Sequence, residues 1–325
     1  MTTPRILLVQ IGRLGDFILA TPMLRALRQA YPDCCIHVLA SRHNAALAQS
    51  QPEIARVYVH SKKIFATLQL LLALKRERYD WWIDPKDHFS REGSFFAQWS
   101  HARVKVGFNQ EGRKKVFEVG LPSQEESLMH VARRNLHALH VLGIAADNPR
   151  PSLFVARTAQ DQLASFLREK EITRYYCINL SAGNAVRYWP QKQWANFLQA
   201  IATQAPAFVF TTAPQDVALA EELLRQVPRS CYFPTRGLND LLAVMQRAEL
   251  VVSPDTSIIH MAAAFDRPVL GLYSNHAWNY KKFYPLSTHS RIVIPSAPGG
   301  VVKDIPYENV LEKFHELLTA IRESQ

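Results

Sequence analysis

Four stretches set small, polar or charged residues directly behind apolar, strand-like runs, and chemistry is to be sought there. In IGRLGD, Gly12 and Gly15 permit a tight turn, and Asp16 arrives at the mouth of a helix. A carboxylate there can cap the helix, and in the same location it can take a proton from a hydroxyl. Spacing alone leaves both readings open. The GxxGD pattern is not the dinucleotide fingerprint, because its glycine spacing differs and no phosphate cradle follows.

Of the other three stretches, two suit phosphate and one a ribose hydroxyl. In NLSAGNAVRYWPQKQW, the segment Ser181, Ala182, Gly183 and Asn184 offers small side chains and exposed amides. Arg187 adds a permanent charge whose fork matches phosphate, and Pro190 suits the first turn of the next helix. In VVSPDTSIIHMAAAF, Asp255 and Thr256 open a helix whose first amides can bind a diphosphate oxygen. His260 lies four residues after Thr256, on the same helix face. A capping Asp with a packed His would also account for this stretch, and one His with one Asp does not complete a metal site. In APQD, Asp216 could accept from ribose hydroxyls or simply favour the helix dipole.

The elements that must position these residues alternate. RILLVQI, CIHVLA, ARVYVH, YDWWIDP and VKVGF read as strands. Between them lie helical patterns over Asp16 to Ala30, Asn44 to Ala48, IFATLQLLLALKRER and Ser94 to Ser100, and ESLMHVARRNLHALHVLGI follows as a long amphipathic helix. ADNPRPS, residues 146–152, has no periodicity and reads as a linker. Beyond it the strands YYCINL, AFVFT, LVVS and PVLGLY alternate with helices, and YENVLEKFHELLTAIRES closes the chain as a helix. Strands separated by helices imply parallel βαβ units. The expectation is an α/β protein of two Rossmann-like, doubly wound parallel-sheet domains facing a cleft, residues 1–150 and 151–325. Ligands of such sheets bind outside the carboxyl ends of the strands, which is where all four stretches fall.

Composition narrows the class. At 325 residues the chain has room for two cores. Its four cysteines, Cys34, Cys35, Cys177 and Cys231, show no CxxC spacing, so neither a disulfide framework nor a zinc site is suggested. The N-terminus does not read as a signal peptide, and the longest strongly apolar run, IFATLQLLLAL, is too short to span a bilayer. A cytosolic chain is expected. The net charge of +10 is uneven: residues 1–150 carry a basic surplus of 8 and residues 151–325 a surplus of 2. That bias suggests an anionic partner for the first half, or a solvated face. No recognition motif supports nucleic acid.

In this order the segments resemble glycosyltransferase family 9, the ADP-heptose:lipopolysaccharide heptosyltransferases, through nearly the whole chain. GDFILATP resembles the family's first-loop pattern, Arg187-Tyr188-Trp189-Pro190 its K-x-W-P element, and Asp255-Thr256-Ser257-Ile258-Ile259-His260 its D-T-G-x-x-H signature. Arg187 replaces the usual Lys, Ser257 a glycine beside the donor phosphates, and Asp216 an acidic residue that is commonly Glu.

The resemblance implies a GT-B architecture with an acceptor-binding N-terminal domain and a nucleotide-sugar-binding C-terminal domain, whose last helix could pack back on the first. It implies an inverting transfer of heptose from ADP-heptose to the inner core of lipopolysaccharide, with Asp16 as base and no obligatory cofactor or metal. Donor contacts would be Ser181, Gly183, Arg187, Asp216, Asp255, Thr256, Ser257 and His260. Charge alone suggests Lys62, Lys63, Arg113 and Lys114 as acceptor contacts. The implied partners are the nucleotide sugar, the lipopolysaccharide core and lipid A, and the anionic inner-membrane surface, with the chain cytoplasmic and peripherally bound. A different nucleotide sugar or acceptor, or a non-catalytic binding protein on the same scaffold, are the competing readings.

Overall fold

The computed structural model describes residues 3–123 and 128–324. The chain divides into two compact units, Met1–Phe154 and Val155–Gln325. The break falls just past the Pro-rich linker because that segment is tied to the first unit. Ser152 N donates to Thr21 Oγ1 (3.0 Å) and Phe154 N to Gln51 Oε1 (2.9 Å).

In the first unit β1 (Arg5–Gln10), α1 (Leu14–Ile18), α2 (Thr21–Ala30), β2 (Cys35–Ala40), α3 (Ala45–Gln49), β3 (Ile54–Val59) and α4 (Ile64–Glu77) follow in turn. They are succeeded by β4 (Trp81–Ile83), α5 (Arg91–Trp99), β5 (Val104–Gly107), β6 (Val119–Gly120) and α6 (Val131–His140). All strand pairs are parallel, in the order β3-β2-β1-β4-β5-β6. Leu7, Val9, Leu39 and Trp82 of the sheet pack against Leu70 and Leu74 of α4 and Phe96 of α5.

Two differences from the sequence expectation have physical causes. The helix expected over Asp16 to Ala30 is broken after Ile18. Pro22 has no N–H to continue the ladder, and Thr21 Oγ1 takes the Ile18 carbonyl instead (2.7 Å). The long helix expected from Glu126 is shorter: Glu126 and Ser127 lie outside the described residues, and α6 starts at Val131 with His130 Nδ1 accepting from Ala132 N (3.2 Å).

The second unit runs α7 (Arg157–Glu169), β7 (Tyr176–Asn179), α8 (Gln191–Ala200), β8 (Phe208–Thr211), α9 (Val217–Gln226), β9 (Ser230–Tyr232) and α10 (Leu238–Arg247). Then come β10 (Leu250–Pro254), α11 (Ser257–Ala264), β11 (Val269–Leu272), α12 (Ala277–Lys282), β12 (Ser290–Val293) and α13 (Tyr307–Glu323). The order β12-β11-β10-β7-β8-β9 is again wholly parallel and repeats the winding of the first sheet. Within the second unit, the C-terminal helix α13 buries Val310, Phe314 and Leu317 with Tyr176, Phe197 and Leu270.

This strand order creates a switch point in each sheet, between β1 and β4 and between β7 and β10. Successive connections leave it in opposite directions, so a crevice opens outside the carboxyl ends of those strands. The loops rimming the two crevices are Ile11–Asp16 with Asp84–Ser90, and Leu180–Arg187 with Asp255–Thr256. Among the described residues no helix is long and apolar enough to cross a membrane.

Candidate functional site

In the first unit the Gln10–Gly12 backbone is held from three sides. Buried Asn44, after β2, donates to Gln10 O (2.8 Å), and Ser41 Oγ to Gly12 O (2.5 Å). Across the switch point, Lys86 Nζ donates to Ile11 O (3.1 Å). The chain then enters α1 with Arg13 as its N-cap, and the Asp16 carboxylate folds back so that Oδ2 accepts from Arg13 N (2.7 Å). Gly12 makes that possible, because a Cβ there would stand 2.6 Å from Asp16 Oδ2. Asp16 is thus an internal cap from the third helical position. Its other oxygen, Oδ1, has no hydrogen-bond partner among the described residues, so capping and proton transfer are compatible.

The β4 loop carries polar residues that the sequence reading did not single out. Asp84 is almost fully buried, and burial pushes its carboxyl up against the pull of the Lys86 charge and the Lys86 N–H. Burial alone would also raise Asp87, but the His88 hydrogen bond and the Arg134 charge, each at 3.0 Å, outweigh it and hold Asp87 at about 2. Lys86 also reaches Ser90 Oγ (3.3 Å), and Ser90 caps α5. The residues were visible in DPKDHFS; what was missing was the strand order that sets this loop beside Asp16.

Of the cations expected to meet an acceptor, Arg113 follows β5, donates from Nε to Gln110 Oε1 (2.7 Å) and lies over the Phe89 ring, 4.4 Å from its centroid. Lys114 is exposed in the same loop. Lys62 and Lys63 are exposed at the start of α4. The described structure brings neither pair into direct contact with Asp16.

In the second unit the bond across the switch point is ionic. Arg187 Nη1 lies 3.2 Å from Asp255 Oδ2 and donates to the Asp255 carbonyl (3.0 Å). Asn279 Nδ2, from α12, donates to the same Oδ2 (2.8 Å). Asp255 is 4% exposed, and its carboxyl is raised by burial while Arg187 and Asn279 pull it down. Two residues beyond Arg187, Trp189 anchors the chain: it is buried, donates to Ile305 O (2.8 Å) and packs edge-on against Trp194 (4.7 Å). Pro190 is the N-cap of α8 rather than a residue of its first turn.

Thr256 is the N-cap of α11, its Oγ1 accepting from Ile258 N (3.3 Å), so the helix begins at Ser257, one residue later than Thr256 itself. Asn179, at the end of β7, ties the two loops together. Its Nδ2 donates to Ser181 O (2.9 Å) and Ser253 Oγ (2.9 Å). Ser181 Oγ accepts from Ala213 N (2.7 Å), and the Tyr188 hydroxyl donates to Asp216 Oδ2 (2.8 Å), which brings the β8 loop into the same cluster. Around Gly183 there is open space. His260 is buried, its ring tilted against Phe283 at 6.3 Å, so it supports α11 from inside. Asn179, Ser253 and Asn279 were not singled out in the sequence, and Tyr188 stood there only as a motif position with no role; a polar residue closing an otherwise apolar strand was the available signal for Asn179. The arrangement suits a diphosphate: one oriented guanidinium, a helix N-terminus and small-residue amides at a strand edge.

Two parallel α/β units, each with polar loops gathered at its switch point, define a protein of the GT-B class. The model of glycosyltransferase family 9 (heptosyltransferase) matches residues 67–313, and the chain belongs to that family. Lipooligosaccharide heptosyltransferase 2 of Haemophilus influenzae is 26% identical over 350 residues, covering 96% of this chain and 99% of that protein. Two solved structures share the fold at 19% identity. The family 9 glycosyltransferase of Veillonella parvula has a TM-score of 0.82, covering 98% of this chain and 97% of that one. The E. coli heptosyltransferase WaaC with ADP-2-deoxy-2-fluoro heptose has a TM-score of 0.75, covering 96% and 99%.

Proposed function

We propose that this chain transfers heptose from ADP-heptose to a hydroxyl of the lipopolysaccharide inner core, with inversion at the anomeric carbon. The observation that carries the reading is the pairing of an oriented guanidinium with a capped helix at one switch point and an accessible carboxylate at the other. Asp16 Oδ1 takes the acceptor proton as the acceptor oxygen bonds to the anomeric carbon, and the bond from that carbon to the diphosphate oxygen breaks. ADP leaves with the negative charge, which Arg187 and the first amides of α11 receive without an obligatory metal. Asp216 and Tyr188 meet the nucleoside; Ser181, Gly183, Asp255, Thr256, Ser257 and His260 form or support the diphosphate and sugar site.

The first unit serves the acceptor. Its basic surplus, with Lys62, Lys63, Arg113 and Lys114, suits the phosphorylated core and lipid A, and Lys86 beside the Asp16 loop adds a cation nearer the reacting groups. The enzyme works at the cytoplasmic face of the inner membrane, peripherally bound. A different nucleotide sugar is the second reading, favoured by Ser257 at the first position of α11, where the family has glycine. Turnover with ADP-, GDP- and UDP-sugars on heptose-free lipopolysaccharide decides between them. ADP-heptose is expected to be used best; a hexose donor used better would overturn the donor assignment.

A further inference from the structure

Helix α4 is apolar on two opposite faces, only one of which the fold uses. Leu70 and Leu74 enter the core of the first unit. At 100° per residue, Phe65, Leu68 and Leu72 fall within about 60° of one another on the other side. They are 79%, 52% and 56% exposed, and Ile64 beside them is 71% exposed. Helix α5, which packs against α4, also exposes Phe95 and Trp99, one turn apart. A surface helix ordinarily turns a polar face outward, so a second, exposed apolar face suits a partner.

The charge around it identifies that partner. Lys62 and Lys63 precede the helix, and Lys75 and Arg76 end it on the exposed side; none pairs with a carboxylate among the described residues. Glu77, the single acid of α4, is turned inward and occupied by Arg5 and Arg56. An apolar strip about 12 Å long, from Ile64 to Leu72, with cations at both ends matches an anionic bilayer, where acyl chains receive the strip and headgroup phosphates the ammonium groups. A second copy of the chain fits poorly, since an isologous contact would bring the same cations towards each other.

We propose that α4 and α5 dock the first unit on an anionic phospholipid surface, with Phe65, Leu68, Leu72 and Trp99 entering the headgroup and acyl boundary. The inference rests on the reading of this unit as the half that meets a membrane-anchored glycolipid, and it names the elements that reach the membrane. Docking in this way also presents the carboxyl-end loops beside α4 to an acceptor rooted in the same bilayer.

Co-sedimentation of the full chain with vesicles of phosphatidylethanolamine and phosphatidylglycerol tests it, with phosphatidylcholine vesicles as the uncharged control. The wild type should bind the anionic vesicles preferentially. Phe65→Ser/Leu68→Ser should reduce that binding about tenfold or more, and Lys75→Glu/Arg76→Glu should abolish the preference for anionic lipid. Turnover of the Phe65→Ser/Leu68→Ser variant on a soluble, delipidated acceptor should stay at the wild-type level.

Phe65→Trp, which keeps the strip apolar, should add fluorescence that brominated acyl chains quench, and this reading does not depend on the serine variants folding. Wild-type binding that survives both double variants, added fluorescence in Phe65→Trp that brominated lipid leaves unquenched, or a dimer that the serine pair dissociates without any change in vesicle binding overturns the docking surface. Loss of turnover with every donor and acceptor, with vesicle binding intact, sinks the transferase reading instead.

Discussion

Removing Arg187 tests whether the charge pair at the second switch point is organised as described. The guanidinium makes two contacts with Asp255, to the carboxylate at 3.2 Å and to the carbonyl at 3.0 Å. In Arg187→Ala the carbonyl bond is lost at every pH, a cost of about 1 kcal/mol. The carboxylate, 6% exposed at its side chain, also loses its charge partner. Breaking a fully buried pair costs about 3–5 kcal/mol, but Asn279 remains bonded and the Arg187 side chain is 25% exposed, so about 2 kcal/mol is expected here.

That second part depends on pH. Burial raises the folded-state value of Asp255 above its ordinary 3.8, and removing Arg187 raises it further. A raised carboxyl favours folding fully below the unfolded value and loses that contribution as pH rises through the folded value. The deficit of the variant relative to wild type should therefore be about 3 kcal/mol near pH 8 and shrink towards about 1 kcal/mol as the medium is acidified. Urea unfolding of the second unit at a series of pH values measures it. Asp255→Asn, which keeps the carbonyl contact and removes the buried charge, should cost under about 1 kcal/mol and abolish the pH dependence in the double variant. A deficit that is the same at all pH values, or an Asp255→Asn protein as unstable as Arg187→Ala, refutes the reasoning.

Three further outcomes follow from the geometry. Gly12→Ala places a Cβ within 2.6 Å of Asp16 Oδ2 and should lower kcat about tenfold or more while ADP affinity by calorimetry is unchanged. Thr256→Val removes the cap of α11 and should cost about 1 kcal/mol in thermal unfolding and weaken ADP binding. Tyr188→Phe frees Asp216 and should alter donor KM by less than about tenfold, without changing kcat.

The alternation of strands and helices was legible because buried parallel strands are continuous apolar runs, as in RILLVQ and LVVSP. The strands that went unread, β6, β9 and β12, are all at sheet edges. VG, SCY and SRIV are short and half-exposed, so no apolar run marks them. The break between α1 and α2 was hidden because Ile18, Leu19, Met23 and Leu27 keep helical spacing across it while Pro22 and Thr21 end the ladder.

At the switch points, the positions that a motif carries were legible as candidates: Asp16, Arg187, Asp255 and Thr256. Residues that matter through contacts distant in sequence were not. Asn279 reaches Asp255 across 24 positions and Lys86 reaches Ile11 across 75, and nothing local marks either one. Likewise α4 showed its length and hydrophobicity in IFATLQLLLALKRE, but which of its two apolar faces the core would take depended on α5 and the sheet.

The most direct test of the account is Asp16→Asn, assayed for heptose transfer from ADP-heptose to heptose-free lipopolysaccharide, with ADP binding measured in parallel. The substitution keeps an oxygen that can accept from Arg13 N and removes the basic carboxylate. Transfer should fall about a thousandfold with nucleotide affinity unchanged. Transfer at the wild-type rate would contradict the assignment of the base, and with it the chemistry proposed for the first switch point.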